Sequence, residues 1–212
     1  HGDYAFASPD DNQTQAEARK ELGLPEGRPV ILAFGALRAY KGLTELIDAL
    51  PDIVDRVPGA VCVIAGKPVG VDPESYRAQA TSRGVADRLI LHDRYVPFEE
   101  ISTYFVAADV AAFPYRNIAQ SGALQLAYAC SKPVVVTAVG ALPETVDHGK
   151  NGLVIPPFDH DALVTAIETI LTMDPEDRER MGQRSRELAD EEHSWADAAR
   201  STVGLYQELL QT

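Results

Sequence analysis

Six short apolar runs, rich in β-branched residues, recur along the chain at positions 29–34, 60–65, 89–92, 109–113, 133–137 and 152–155. Successive residues in them are apolar rather than every second one, as in a strand covered on both faces. Between the runs, apolar residues fall at helical spacing: Leu43, Leu46, Ile47 and Leu50, then Ile101, Tyr104, Phe105 and Ala108, then Leu124, Ala127 and Tyr128. Alternating strands and helices predict an α/β architecture, a doubly wound parallel sheet with helices on both faces. Gly23 and Pro25 end an opening helix, Pro97 marks a helix start, and Pro133 is expected as the first residue of a strand. Pro51 interrupts the stripe from Leu43 to Val57, which predicts a kink or two shorter helices. After Pro156 the strands cease and three C-terminal helices are expected, over 161–173, 176–189 and 194–210. The last carries a stripe of Trp195, Ala199, Val203, Tyr206 and Leu210, and the acid- and arginine-rich stretch 174–192 reads as a solvated helix face. No repeat or low-complexity linker divides the chain, so residues 1–212 are expected to form a single domain.

Composition narrows the partners. With 19 Lys plus Arg against 32 Asp plus Glu, the net charge is −13, which argues against nucleic acid and against an anionic membrane surface. An anionic ligand must then be met by local cations. Cys62 and Cys130 each lie in an apolar run and read as buried, reduced thiols, pointing to a reducing, cytoplasmic compartment. No run approaches the roughly 20 apolar residues of a membrane-spanning helix, and no basic-then-apolar leader opens the sequence. The chain begins at His1 rather than Met, so it is expected to be a piece of something longer. No two of the histidines His1, His92, His148, His160 and His193 have metal-ligand spacing, and all five are expected in loops or on the surface.

In an open parallel sheet, ligands bind beyond the carboxyl ends of the strands, so the loops there are the places to look. The first is Gly35-Ala36-Leu37-Arg38-Ala39-Tyr40-Lys41-Gly42, where a glycine permits close approach and two cations can reach anionic oxygens. It has neither a Walker pattern nor a dinucleotide fingerprint. Taken alone, it is equally an Arg and a Lys in a surface loop. The loop after the fourth strand ends in Gln120-Ser121-Gly122-Ala123 and runs into an apolar helix. Its free N–H groups and helix dipole suit a phosphate, although Ser121 also reads as a plain N-cap.

The stretch from Cys130-Ser131-Lys132-Pro133-Val134-Val135 through Gly140-Ala141-Leu142-Pro143-Glu144 to Gly149-Lys150-Asn151-Gly152 completes a pattern. Together with Gly35, Lys41-Gly42, Ala108-Asp109-Val110, Pro114-Tyr115 and Trp195, it resembles the carboxyl-terminal, nucleotide-sugar-binding domain of retaining GT-B glycosyltransferases of group 1, also called family 4. The resemblance spans nearly the whole chain and implies a Rossmann-like half of a GT-B fold, with the amino-terminal acceptor domain absent. It implies a nucleoside-diphosphate sugar as donor substrate, with no cofactor and no metal, since no compact Asp-x-Asp is present. By that resemblance Lys41, aided by Arg38, neutralises the departing diphosphate. Gln120, Ser121, Gly122 and Ala123 lie beneath the phosphates and sugar, Arg94, Tyr95 and Val96 flank the base, and Gly66 lines the same edge. Lys67 is placed there too, or is a plain surface lysine. Glu144 either caps the helix near Leu142 or approaches the nucleotide.

The chain departs from that pattern in three places. Ala36 stands where many relatives carry an arginine, with Arg38 the nearest substitute. Ile118 and Leu126 align with the family's two glutamates, one near the sugar and one on the ribose, unless Leu126 is simply core. The third departure is the missing half, through which any membrane contact of a longer protein would run. The function implied is transfer of a sugar to an unknown acceptor with retention of configuration. The alternatives are a non-catalytic nucleotide-sugar-binding module with a degenerate site, and an epimerase on the same fold, for which the expected acids and bases around the sugar are not found.

Overall fold

The computed structural model describes residues 13–192 and 195–210, without the side chains of 191, 192, 195–198, 201, 205, 208 and 210. The expectations for His1 and His193, for residue 194, and for the side chains of Trp195 and Leu210 lie outside the described residues.

Six strands form one parallel sheet: β1 (Val30–Phe34), β2 (Val61–Ala65), β3 (Leu89–His92), β4 (Val110–Phe113), β5 (Val134–Thr137) and β6 (Gly152–Ile155), in the order β3-β2-β1-β4-β5-β6. Its register pairs Ile31 with both Cys62 and Val110. The helices are α1 (Gln15–Glu21), α2 (Leu43–Arg56), α3 (Pro73–Ser82), α4 (Phe98–Ala107), α5 (Gly122–Ala129), the single turn α6 (Leu142–Thr145), α7 (His160–Thr172), α8 (Pro175–Glu192) and α9 (Trp195–Leu210).

Side chains alternate across each strand, and that alternation sorts the core into two layers. Val30, Leu32 and Phe34 meet α4 and α5 through Tyr104, Phe105, Leu124 and Ala127. Ile31 and Ala33 meet α2 and α7 through Leu46, Ile47, Leu50 and Ile167. The connection after β1 thus covers one face and the connection after β4 the other. The order reverses between them, and a crevice opens at their carboxyl ends.

Several expectations need correction. Pro29, Ala60, Asp109 and Pro133 each lie one residue before a strand; Pro133 contributes only its carbonyl, which accepts from the Ala111 N–H, because proline has no N–H to pair. The helix carrying Pro51 is not split. Leu43, Leu46, Ile47, Leu50 and Ile53 are all buried along it, and that packing outweighs the one backbone hydrogen bond a proline removes. α8 does present the solvated face expected of it, and its other face is buried. Met181, Ser185, Leu188 and Ala189 are buried, Ser185 Oγ donates to the Lys132 carbonyl at 2.9 Å, and Arg186 Nη1 donates to the Ala129 carbonyl at 2.8 Å. His92 is neither loop nor surface: it ends β3, half-buried, with Nδ1 2.9 Å from the Tyr104 hydroxyl. Cys62 and Cys130 are free and buried, and burial pushes both thiols up to about 12. Among the described residues no helix is long and apolar enough to cross a membrane.

A buried charge cluster closes the amino end of the sheet. Asp109 Oδ2 accepts from Arg19 Nη2 and from the Val30 N–H, both at 2.7 Å, while Oδ1 lies 3.7 Å from Arg178. Arg19 Nε and Lys132 Nζ donate to the Ala107 and Ala108 carbonyls at 2.9 and 3.1 Å, satisfying groups that the end of α4 leaves open.

Candidate functional site

The chain leaves β1 through Gly35, whose φ is +98°. A methyl group there would lie 2.9 Å from Lys41 Nζ and 3.7 Å from the Ala123 side chain. Gly35 therefore makes room for the lysine and for the start of α5, in a backbone conformation that L side chains rarely adopt. A short 3-10 turn at 39–41 then folds Lys41 back over the strand end. Its side chain is 6 % exposed, donates to the Phe34 carbonyl at 2.8 Å, and stands 5.4 Å from the centroid of the Tyr115 ring. No carboxylate pairs with it among the described residues. Burial, with neighbouring Arg38 adding to it, pulls this ammonium down to about 8.

Tyr115 joins the two halves of the crevice, and sequence reasoning gave it no role. Its ring lies under Lys41, its hydroxyl is 3.3 Å from Ser121 Oγ, and burial raises its pKa. Its carbonyl accepts from Thr137 Oγ at 2.6 Å, which ties the loop to the end of β5. Ser121 does act as the N-cap, accepting from the Leu124 N–H at 3.2 Å. Gly122 and Ala123 follow it in the first turn, where backbone N–H groups have no acceptor inside the helix. The structure therefore brings Gly35, Lys41, Ser121, Gly122 and Ala123 to one place. Gly66 packs against the Gly35 carbonyl from the adjacent strand end.

The remaining candidates sit around this centre. Arg38 is exposed at the start of the 3-10 turn. Arg94 follows β3, with Nη2 ion-paired to Glu100 and Nη1 donating to the Tyr95 carbonyl at 3.2 Å; the Tyr95 ring is 63 % exposed. Gln120 is exposed, as is Lys67. Glu144 stands exposed in α6 and does not cap it, since Ala141 holds the N-cap position without a side-chain bond. Leu126 is 8 % exposed in the α4 and α5 core layer, which settles it as core. Sequence reasoning also passed over Gln125, the polar residue inside an otherwise apolar helix; that interruption was the available signal.

Backbone contacts fix the loops to one another. Gly42 lies against the Pro114 carbonyl and Gly140 against the Ile118 carbonyl, both too close for any side chain. The Arg116 N–H donates to the Tyr40 carbonyl at 2.7 Å. The whole assembly presents a buried cation and open helix amides in a chain of net charge −13, an arrangement suited to a compact polyanion such as a diphosphate.

The profile of the family described as glycosyl transferases group 1 matches residues 14–188. A D-inositol 3-phosphate glycosyltransferase of Corynebacterium efficiens is 34 % identical over 210 residues, covering 97 % of this chain and 49 % of the relative. A GDP-mannose-dependent alpha-(1-6)-phosphatidylinositol monomannoside mannosyltransferase of Mycolicibacterium smegmatis is 35 % identical over 192 residues, covering 87 % and 49 %. The chain spans about half the length of these curated relatives. Among solved structures, a sucrose-phosphate synthase from Thermosynechococcus elongatus matches with a TM-score of 0.81 and 26 % identity over 99 % of this chain and 51 % of that one. The C-terminal domain of a glycosyl transferase group 1 family protein, LpcC, from Francisella tularensis matches with a TM-score of 0.79 and 20 % identity over 92 % of this chain and 100 % of that one. Family profile, relatives and fold agree, and the chain belongs to the glycosyl transferases group 1 family.

Proposed function

We propose that this chain is the donor-binding half of a retaining glycosyltransferase of family 4, holding a nucleoside-diphosphate sugar at the crevice between β1 and β4. The observation that carries the reading is Lys41: a buried ammonium with no carboxylate partner among the described residues, facing the open end of α5. A charge placed this way is costly unless an anion completes it. A diphosphate does so, and Lys41 then stabilises the negative charge that grows on the leaving diphosphate as the glycosidic bond breaks. Arg38 at the mouth adds to that field, and Arg94 and Tyr95 flank the base. No resident metal is needed for this step, because the ammonium and the helix amides supply the positive charge.

The acceptor and the wall that excludes water belong to a second domain, in keeping with relatives about twice this length. Val203 and Tyr206 on α9, both exposed, are suited to cover by that domain. Titration calorimetry against UDP, GDP and ADP tests the reading. Weak binding of at least one nucleoside diphosphate, without sugar transfer by this chain alone, is expected; failure to bind any of the three overturns it.

One observation favours a second reading, a nucleotide-sugar-binding module without transfer. Ile118 and Leu126 offer no carboxylate, and Leu126 is turned into the core. Joining the chain to its natural upstream sequence separates the two: a second α/β half with turnover of donor supports the transferase, and binding without turnover supports the module.

A further inference from the structure

Beside the start of α5, on the side facing α6, lies a crevice of about 80 Å³ lined by Gln120, Ser121, Leu124, Gln125, Leu142 and Thr145, among others. Gln125 is 7 % exposed, and its carboxamide has no hydrogen-bond partner among the described residues. The neighbouring polar groups are engaged. Ser121 Oγ accepts from the Leu124 N–H and meets the Tyr115 hydroxyl, and Thr145 Oγ donates to the Leu142 carbonyl at 3.0 Å. Neither polar atom of the carboxamide is sealed off, since Arg88 Nη1 is the one fully buried side-chain atom without a partner among the described residues, so the amide opens onto the crevice. The amide is therefore available to a group that enters the crevice.

We propose that Gln125 is a specificity-determining residue for the transferred sugar, its carboxamide receiving a neutral hydrogen-bonding substituent, a hydroxyl-bearing or acetamido group, seated between α5 and α6. The inference rests on the reading of Lys41 and the α5 amides as the diphosphate site. The sugar is joined directly to that diphosphate, and Ser121 belongs both to the α5 start and to the crevice wall. The crevice has room for several water-sized groups. None of the six residues named carries a charge, so a carboxylate or ammonium on the sugar would be desolvated without a partner. A carboxamide both donates and accepts, which matches a hydroxyl or an acetamido group equally.

Calorimetry on the parent chain, Gln125→Leu and Gln125→Met tests this, comparing UDP with UDP-glucose, UDP-N-acetylglucosamine and UDP-glucuronate, or GDP with GDP-mannose where the guanine nucleotide binds. The ratio of sugar-nucleotide affinity to nucleotide affinity is expected to fall about tenfold in both variants, with the affinity for UDP or GDP itself unchanged. Without ligand, Gln125→Leu is expected to melt no lower than the parent. A ratio unchanged within about twofold overturns the proposal, as does a parent chain that prefers UDP-glucuronate to the neutral sugars. A lower melting temperature with an unchanged ratio identifies Gln125 as a packing residue and also overturns it. Failure of the parent to bind UDP and GDP is a different result: it removes the diphosphate reading on which the proposal stands.

Discussion

Two lysines, Lys132 half-buried and Lys41 buried, stand at opposite ends of the sheet, and their surroundings differ. Lys132, at the amino end, donates to two carbonyls at the end of α4 and has Asp109 nearby, so the pull of burial on its pKa is opposed by a carboxylate. Lys41, at the carboxyl end, has one carbonyl and no carboxylate, and its nearest charge is another cation, Arg38. The first lysine is completed by its own chain. The second is not, and on the reading proposed above this asymmetry separates a cation that holds the fold from one that receives a ligand.

The sharpest way to break the comparison is to remove the amino-end carboxylate. Asp109→Ala leaves buried Arg19 and half-buried Lys132 without it and is expected to cost about 3–5 kcal/mol in urea unfolding, with nucleoside diphosphate affinity of the folded fraction unchanged. Lys41→Ala should do the reverse: affinity falls by about 1.5–3 kcal/mol in calorimetry while stability holds. Gly35→Ala, which crowds Nζ, should resemble Lys41→Ala in binding.

A pH series sharpens the contrast by a smaller amount. The folded chain holds Lys41 at about 8, below the ordinary lysine value, so the unfolded chain binds the extra proton above that pH. Stability is expected to rise from this residue as pH climbs from about 8 towards the ordinary value. On the proposed reading diphosphate binding requires the ammonium, so affinity should stay flat between pH 7 and 8 and then fall by up to about tenfold per pH unit until lysine's ordinary range. Calorimetry across pH 7–10 reads this, and Lys41→Ala should abolish the decline. The smallest effect belongs to exposed Lys67: Lys67→Ala should change affinity by less than about 0.5 kcal/mol, and a larger loss would move the phosphate site towards β2.

The six strands were legible because a strand buried on both faces has a pattern that few other elements share. α3 was not, since it buries only Tyr76 and Ala80 and shows little periodicity. Lys41, Ser121 and Gly35 could be singled out from motif order, but burial of the lysine depends on Tyr115, 74 positions further along the chain, and on the space left at Gly35. The Asp109 cluster was illegible for the same reason, since Arg19 and Val30 reach it across 90 and 79 positions. Leu126 shows the limit of alignment by spacing: the position was identified, but which way the helix faces was decided by packing.

The contacts of Gly42 with Pro114 and of Gly140 with Ile118 also bear on how this site can be altered. They make the loops after β1, β4 and β5 mutually templated, so a replacement loop inherits the shape of its neighbours along with its own sequence. Grafting the segment 114–121 from a relative to redirect specificity should succeed only when glycines are kept at 42 and 140, and an insertion in any one loop should propagate to the others. The practical unit of exchange is the set of three loops together.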